Sequence, residues 1–301
     1  MKSLYLFSKI RFTLKIVPFT IPVSGEQSII FQEDRELHFY PHLHQHPEIQ
    51  LTWVREGNGN LLVGEQVHRF QADDVFLIGA NQPHLFNSDP AYFEANTGLS
   101  IHAWSLFFDP VKMSKTLQAI PELGGIDALM RGFDRGLKVV GNNKIQVILF
   151  LQEMRFASNV KRVALFLTLL ETLSSDVAPF FLSQQTHFSI SEQEGQRMST
   201  VYQFLLNHYA EDISLDQLAG MVHLSSPAFC RYFKKHTRKT LTVFLNELRI
   251  NAACRALIED LEKSISDIAY STGFNNIPHF NRTFKRVTGQ RPNEWRRGNA
   301  R

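Results

Sequence analysis

The sequence predicts an α+β multidomain protein: an N-terminal β-barrel with trailing helices, then an all-α domain of two helix-turn-helix units joined by a long helix. Three observations predict it. Short apolar stretches separated by turn residues fill residues 37–108. Helical apolar periodicity runs from about 126 to 175, and one helical unit is written twice after residue 197. At 301 residues the chain has room for two domains. Composition divides it into a barrel with its helices over 1–182, a polar linker over 183–196 and a helical domain over 197–301.

The strands come first. Residues 49–53 (Ile-Gln-Leu-Thr-Trp) alternate apolar and polar side chains, the period of a half-buried strand. Residues 56–60 form a turn, and Gly64-Glu65 separates the apolar stretch 61–63 from 67–70. Asp73-Asp74 precedes the strand 75–78, which Asn81-Gln82-Pro83 ends. Many short strands at this spacing suggest a barrel or sandwich. Beyond residue 126, Val147, Leu151 and Met154, then Val163, Phe166 and Leu170, mark helix faces that suit packing on the barrel or on a second subunit.

Charge separates the two ends. Residues 193–301 hold 16 Lys/Arg against 10 Asp/Glu, a net of +6, whereas residues 1–192 hold 16 against 19, a net of −3. A basic end suits docking on a polyanion. The two cysteines, Cys230 and Cys254, exclude a disulfide framework and a four-cysteine zinc site. Lys9, Arg11 and Lys15 interrupt the apolar stretches of residues 1–22, so no secretory core is expected there. No run of about 20 apolar residues occurs, so a cytoplasmic location without membrane contact is expected.

The repeat carries the function. Ser214, Leu218 and Ala219 correspond to Ser264, Ile268 and Ala269 with an offset of 50; the run 229–235 (FCRYFKK) corresponds to 280–286 (FNRTFKR) with an offset of 51. Each copy has the mechanics of a helix-turn-helix. Ser214 and Ser264 suit the N-cap of the first helix, and the small Ala219 and Ala269 let two helices approach closely. Gly273 ends the first helix of the second copy, where His223 stands in the first. Ser225, and Asn275 or Asn276, are expected to cap the second helices. Phe229 with Phe233, and Phe280 with Phe284, would lock those helices to a core.

Outward positions are then Ser226, Pro227, Cys230 and Arg231 in copy one, and Asn276, Ile277, Pro278, Asn281 and Arg282 in copy two. Lys234, Lys235, Lys285 and Arg286 follow them, where phosphates would lie. Arg231 and Arg282 are candidates for bidentate guanine readout and Asn281 for adenine. Leu241, Phe244, Leu245, Leu248, Ala252 and Ala256 mark one face of a long helix between the copies. At about 1.5 Å per residue it would span about 30 Å, close to the roughly 34 Å between successive major-groove faces.

The stretch 197–297 resembles the DNA-binding domain of the AraC/XylS family throughout. Its second unit carries the signature: Ile268-Ala269, Gly273-Phe274, the run 280–285, the run 288–292 (TGQRP) and Trp295-Arg296. The resemblance implies a sequence-specific transcriptional regulator acting on double-stranded DNA, with RNA polymerase as a further partner and a homodimer as the working form. It also implies that Pro227, Cys230, Arg231, Ile277, Pro278, Asn281 and Arg282 face the bases.

The N-terminal part contains His42-x-His44-x₃-Glu48, with His84 on a later strand edge and Asn87 three residues on. This resembles the two cupin motifs, although Gly57 and Pro83 depart from their pattern. The expectation is a cupin-like sensor in which His42, His44, Glu48, His84 and Trp53 contact a small-molecule effector. No cofactor is expected; a divalent metal on His42, His44, Glu48 and His84 is the lesser alternative. A metal-dependent cupin enzyme with a DNA-binding tail and a constitutive architectural DNA binder are the rival functions.

Overall fold

The computed structural model describes residues 27–175, 179–184 and 192–299. Two antiparallel sheets form the N-terminal half. The larger has the strand order β1-β7-β2-β5-β8-β9 and the smaller β4-β3-β6. Their strands are β1 (Ile30–Glu36), β2 (Ile49–Glu56), β3 (Gly59–Val63), β4 (Gln66–Phe70), β5 (Val75–Ile78), β6 (His84–Ser88), β7 (Ile101–Phe108), β8 (Leu137–Val139) and β9 (Phe180–Phe181). Val54, Phe76, Ile78 and Ala103 of the larger sheet and Leu61, Val63, Phe70 and Phe86 of the smaller share one core, so the sheets face each other. β1 begins seven residues ahead of the zone that strand patterning marks, because its alternation is polar on both faces.

The outer face of the larger sheet is covered by helices. Leu51, Trp53, Leu77, Trp104, Leu106 and Phe108 pack under α2 (Ile126–Gly132), α3 (Gly141–Met154) and α4 (Asn159–Ser174), with α1 (Pro110–Leu117) at the margin. Asp109 caps α1 by accepting from the backbone of Val111 and Lys112. On α3 and α4 the side chains of Ile145, Leu149, Val160 and Val163 remain exposed.

The C-terminal half is helical: α5 (Glu192–His208), α6 (Leu215–Met221), α7 (Ser226–Thr237), α8 (Leu241–Glu259), α9 (Ile265–Ser271), α10 (Ile277–Thr288) and α11 (Pro292–Asn299). α5 starts inside the stretch 183–196 that composition marks as linker. Ser183 and Gln184, in that stretch as well, bond the Glu65 carboxylate at 2.8 Å each. The two halves touch. Leu62 and Leu85 from the outer face of the smaller sheet, with Leu43 from the β1–β2 connection, share a core with Val201, Leu205, Phe229, Phe233 and Phe244. Arg255 of α8 reaches Asp89 at 3.0 Å, and the Ser199 hydroxyl accepts from the Leu43 amide at 3.1 Å. Among the described residues no helix is long and apolar enough to cross a membrane.

Candidate nucleic-acid interface and effector cavity

Each repeat folds as a pair of helices meeting through a tight turn. Ser214 accepts from the Gln217 amide and Ser264 from the Asp267 amide, so both first helices begin on the expected caps. The turn then needs a left-handed residue, supplied by His223 at φ 56° and Gly273 at φ 92°. A Cβ at Gly273 would come within 2.8 Å of the Ala210 carbonyl oxygen and of Arg249 Nε. Asn276, not Asn275, caps α10 by accepting from His279 N. Ser225 holds the cap position of α7 with the same extended backbone as Ser214 and Ser264, but its side chain makes no cap bond.

Phe229, Phe233, Phe280 and Phe284 are all fully buried. They fill two separate cores. The N-terminal half of α8 gives Phe244, Leu245 and Leu248 to the first, and its C-terminal half gives Ile250, Ala253 and Leu257 to the second. The single face expected from Leu241 to Ala256 is therefore replaced by two faces, since one connector serves cores on different sides. Its 19 residues span about 28 Å.

The remaining faces of α7 and α10 point to solvent. Pro227, Cys230, Arg231, Lys234 and Lys235 are exposed on α7; Pro278, Asn281, Arg282, Lys285 and Arg286 are exposed on α10 or its last turn, with Asn276 exposed at its cap. Ile277 is half-buried and packs partly on the second core. Ser226 is half-buried and donates to the Asp216 carboxylate, and Lys235 pairs with Glu194 at 2.8 Å. Trp295, half-buried, packs edge-on against Phe284 and holds α11 to the second core.

The barrel contains a cavity of about 400 Å³. One row of its wall is Gln32, Ser105 and Thr52, which are register partners across β1, β7 and β2. Asp34 and Glu36 continue the β1 side, and the segment 37–41, with His44, Gln50, Phe86 and Ile101, completes the lining. Of the five residues read from sequence as effector contacts, only His44 lines this space. Trp53 lies on the opposite face of the sheet, under the helices and edge-on to Trp104 at 5.3 Å, because strand alternation sends odd positions of β2 outward.

The histidines gather differently from the motif reading. His44, His46 and His84 come together, with one ligand atom from each lying within 4.8 Å of the others. His42 gives this cluster only its carbonyl oxygen, and Glu48 faces His46 Nδ1 at 3.6 Å rather than the cluster's centre. The relevant spacing is therefore His44-x-His46-x₃-Gln50, two residues later than His42-x-His44-x₃-Glu48. His44 Nδ1 meets His42 O at 2.8 Å, His46 Nδ1 meets Glu48 O at 3.0 Å and His84 Nδ1 meets Gln82 O at 2.8 Å. A carbonyl oxygen only accepts, so in each ring Nδ1 carries the hydrogen. Burial pushes the His44 pKa down to about 4 and those of His46 and His84 below the ordinary value, which keeps the rings neutral. Their Nε2 atoms are then acceptors. Those of His46 and His84 lie 3.1 and 3.0 Å from Gln50 Oε1.

Comparison with known proteins agrees with this architecture. Residues 25–150 match the AraC-like ligand binding domain and residues 218–298 match the helix-turn-helix domain. An uncharacterized HTH-type transcriptional regulator of Bacillus subtilis, YdeC, is 25% identical over 93% of both chains. The HTH-type transcriptional activator RhaS of an Enterobacter species is 35% identical over 36% of this chain; the match spans 38% of RhaS, less than half its length. A solved transcriptional regulator with an AraC-type DNA-binding domain from Chromobacterium violaceum is 28% identical over 35% of this chain and 93% of its own, with a TM-score of 0.33. Over these two regions the chain is similar to AraC-type transcriptional regulators, with the match to the ligand binding domain lying ahead of the match to the helix-turn-helix domain.

Proposed function

We propose that this chain reads one DNA operator with both helix-turn-helix units and changes that reading when a small effector fills the barrel cavity. The carrying observation is the pair of solvent-facing helices, α7 and α10, held by one connector of about 28 Å. That length suits adjacent major grooves on one side of a duplex. Arg231, Arg282 and Asn281 read base edges, whereas Lys234, Lys285 and Arg286 neutralise phosphate. Lys235 joins them once released from Glu194. The chain acts as a regulator without catalysis or a resident cofactor, in the cytoplasm. It works as a homodimer through the exposed apolar face of α3 and α4, with RNA polymerase as its partner at the promoter. Contacts between the cavity wall and the first helical unit supply the coupling route, because Leu43 and Pro41 of the cavity segment bond Ser199 and Gln203 of α5.

A binding selection tests this reading. The full chain is mixed with random duplexes of about 40 base pairs, four helical turns, and the retained DNA is sequenced. Two short blocks about one helical turn apart are expected. Binding with no enriched motif that fades only with salt would demote the chain to a non-specific binder.

One observation favours a second reading, in which the barrel holds a resident metal: the convergence of His44, His46 and His84. Three neutral imidazoles and the Gln50 amide oxygen fit a borderline divalent ion such as zinc or nickel. An ion held there would supply a Lewis acid at the cavity floor. Untagged protein carrying one equivalent of metal, lost in His46→Ala, supports it. Metal-free protein returns the cluster to a hydrogen-bonded network with the Gln50 amide nitrogen turned to the rings.

A further inference from the structure

We propose that the effector taken by the barrel cavity is a small cation bearing an amine, seated against Asp34 and Glu36. This rests on the regulator reading for the meaning of the cavity and adds the chemistry of its occupant.

β1 supplies the first argument. Its inward positions are Gln32, Asp34 and Glu36, all lining the cavity, while Glu33 turns outward to Arg35 and Arg155. Three successive inward positions of a barrel strand are thus polar or acidic, where an apolar core would ask for the reverse. Among the described residues the lining includes two carboxylates and no lysine or arginine. Among the described residues, the cations near this strand are engaged elsewhere: Arg35 and Arg155 on Glu33, Arg55 on His102 and the Trp53 and Trp104 rings, and Arg69 on Asp89. Neither Asp34 nor Glu36 takes part in an ion pair among the described residues.

Burial raises the Asp34 pKa, the Gln32 amide opposes that rise, and the Glu36 charge adds to it. Two like charges two residues apart on one strand face therefore repel each other in a partly desolvated wall. Gln32 Nε2 donates to Asp34 at 2.7 Å, while Gln32 Oε1 is shielded from solvent and has no hydrogen-bond partner among the described residues. A buried acceptor of this kind calls for a donor.

An ammonium group answers all of these at once. It cancels the repulsion, and its several N–H bonds serve both the Asp34 carboxylate and Gln32 Oε1. The rings of Phe39, Tyr40 and Phe86 line the same space and suit a cation near their faces. A neutral polyol would meet the acceptors but leave the like charges facing each other. A carboxylate ligand would add a third negative charge. At about 400 Å³ the cavity lies toward the small end of ligand sites, so the occupant is a single small molecule.

The test uses the untagged full chain with matched triads of probes: putrescine, 1,4-butanediol and succinate, then glucosamine, glucose and gluconate. Calorimetric binding and melting temperature are read together. At least one amine is expected to bind and raise the melting temperature, more weakly at high salt, while its alcohol and acid partners do neither. Asp34→Asn is expected to weaken amine binding about tenfold or more, and Glu36→Gln to weaken it less, because Glu36 stands at the open rim. Without ligand, Asp34→Asn should melt no lower than the parent, since it removes a repulsion; a merely structural aspartate would give a lower melting temperature. No response to either amine, or a response to alcohol or acid that Asp34→Asn leaves intact, overturns the proposal. Neither result touches the regulator reading, which stands or falls on the DNA selection.

Discussion

The two helix-turn-helix units share a plan and differ in how completely local signals support it. The second unit places glycine at both left-handed positions, Gly273 and Gly289 at φ 92° and 78°, and caps its recognition helix with Asn276. The first holds His223 and Arg238 at φ 56° and 55°, and Ser225 makes no cap bond. A non-glycine residue in that region costs roughly 1–2 kcal/mol. The first unit nevertheless has more to pack against, because Leu43, Leu62 and Leu85 of the barrel enter its core. Among the described residues the second core draws on α8 to α11 and on no barrel residue. The comparison teaches that backbone strain is tolerated where tertiary contacts over-determine the fold, while a unit with no barrel residue in its core relies more on its local signals.

The largest expected effect tests that independence. Phe284→Ala should cost about 3–5 kcal/mol, and in calorimetry the second unit should melt ahead of the barrel and first unit. Phe233→Ala should instead lower the main transition, since its core includes barrel residues. A single shared transition in both variants would break the comparison. Next, Arg282→Ala should cost about 1–3 kcal/mol on the preferred operator and relax preference at one base pair. Competition against substituted operators reads this, with Lys285→Ala as the contrast that weakens all DNA alike.

A smaller effect concerns the barrel contact. Burial alone would raise the Asp89 pKa, but the hydrogen bond and charge of Arg69 on β4, and Arg255 on α8, hold it below the usual carboxylate value. Glu259 lies 3.9 Å from Arg255 and weakens its pull slightly. The contribution is therefore present above the ordinary aspartate range and lost as pH falls through the depressed folded value. For a partly solvated pair it should amount to about 1 kcal/mol. Asp89→Asn should remove this pH dependence from the melting curve; an unchanged dependence would place the acid sensitivity elsewhere. The smallest effect is a gain. His223→Gly should stabilise the first unit by about 0.5–1 kcal/mol by relieving the left-handed residue, and a loss of stability would show that the His223 side chain matters more than its backbone.

Much of the helical domain was legible because its signals are local. Ser214, Ser264, Gly273 and the four phenylalanines act within a turn or two of chain, and the repeat doubled each clue. The one-residue offset change falls in the turn. Leu224 and Phe274 still make matching bonds, to Ala219 O and Ala269 O, but the second helix begins at Ser226 in one copy and Ile277 in the other. The barrel was legible only in kind. Alternation identifies a strand without naming which face meets a cavity, so Trp53 reads as an effector contact although the cavity lies on the other side of its sheet. The histidine motif suffered a similar two-residue displacement. A spacing of His-x-His fits both 42/44 and 44/46, and the convergence of His46 with His44 and His84 selects the second.

By itself the sequence determined the resemblance to AraC-type regulators, the pair of helix-turn-helix units, the Ser214 and Ser264 caps, and most of the side chains of α7 and α10 that stay outside the core. These follow from periodicity and from φ preferences that one residue and its near neighbours decide. Only the tertiary structure decided that one connector serves two cores, that the barrel's smaller sheet docks on the first unit, and that Gln32, Asp34 and Glu36 line one cavity wall. Those are contacts between residues far apart in the chain, and they depend on which sheet faces pair, a choice that local patterning leaves open.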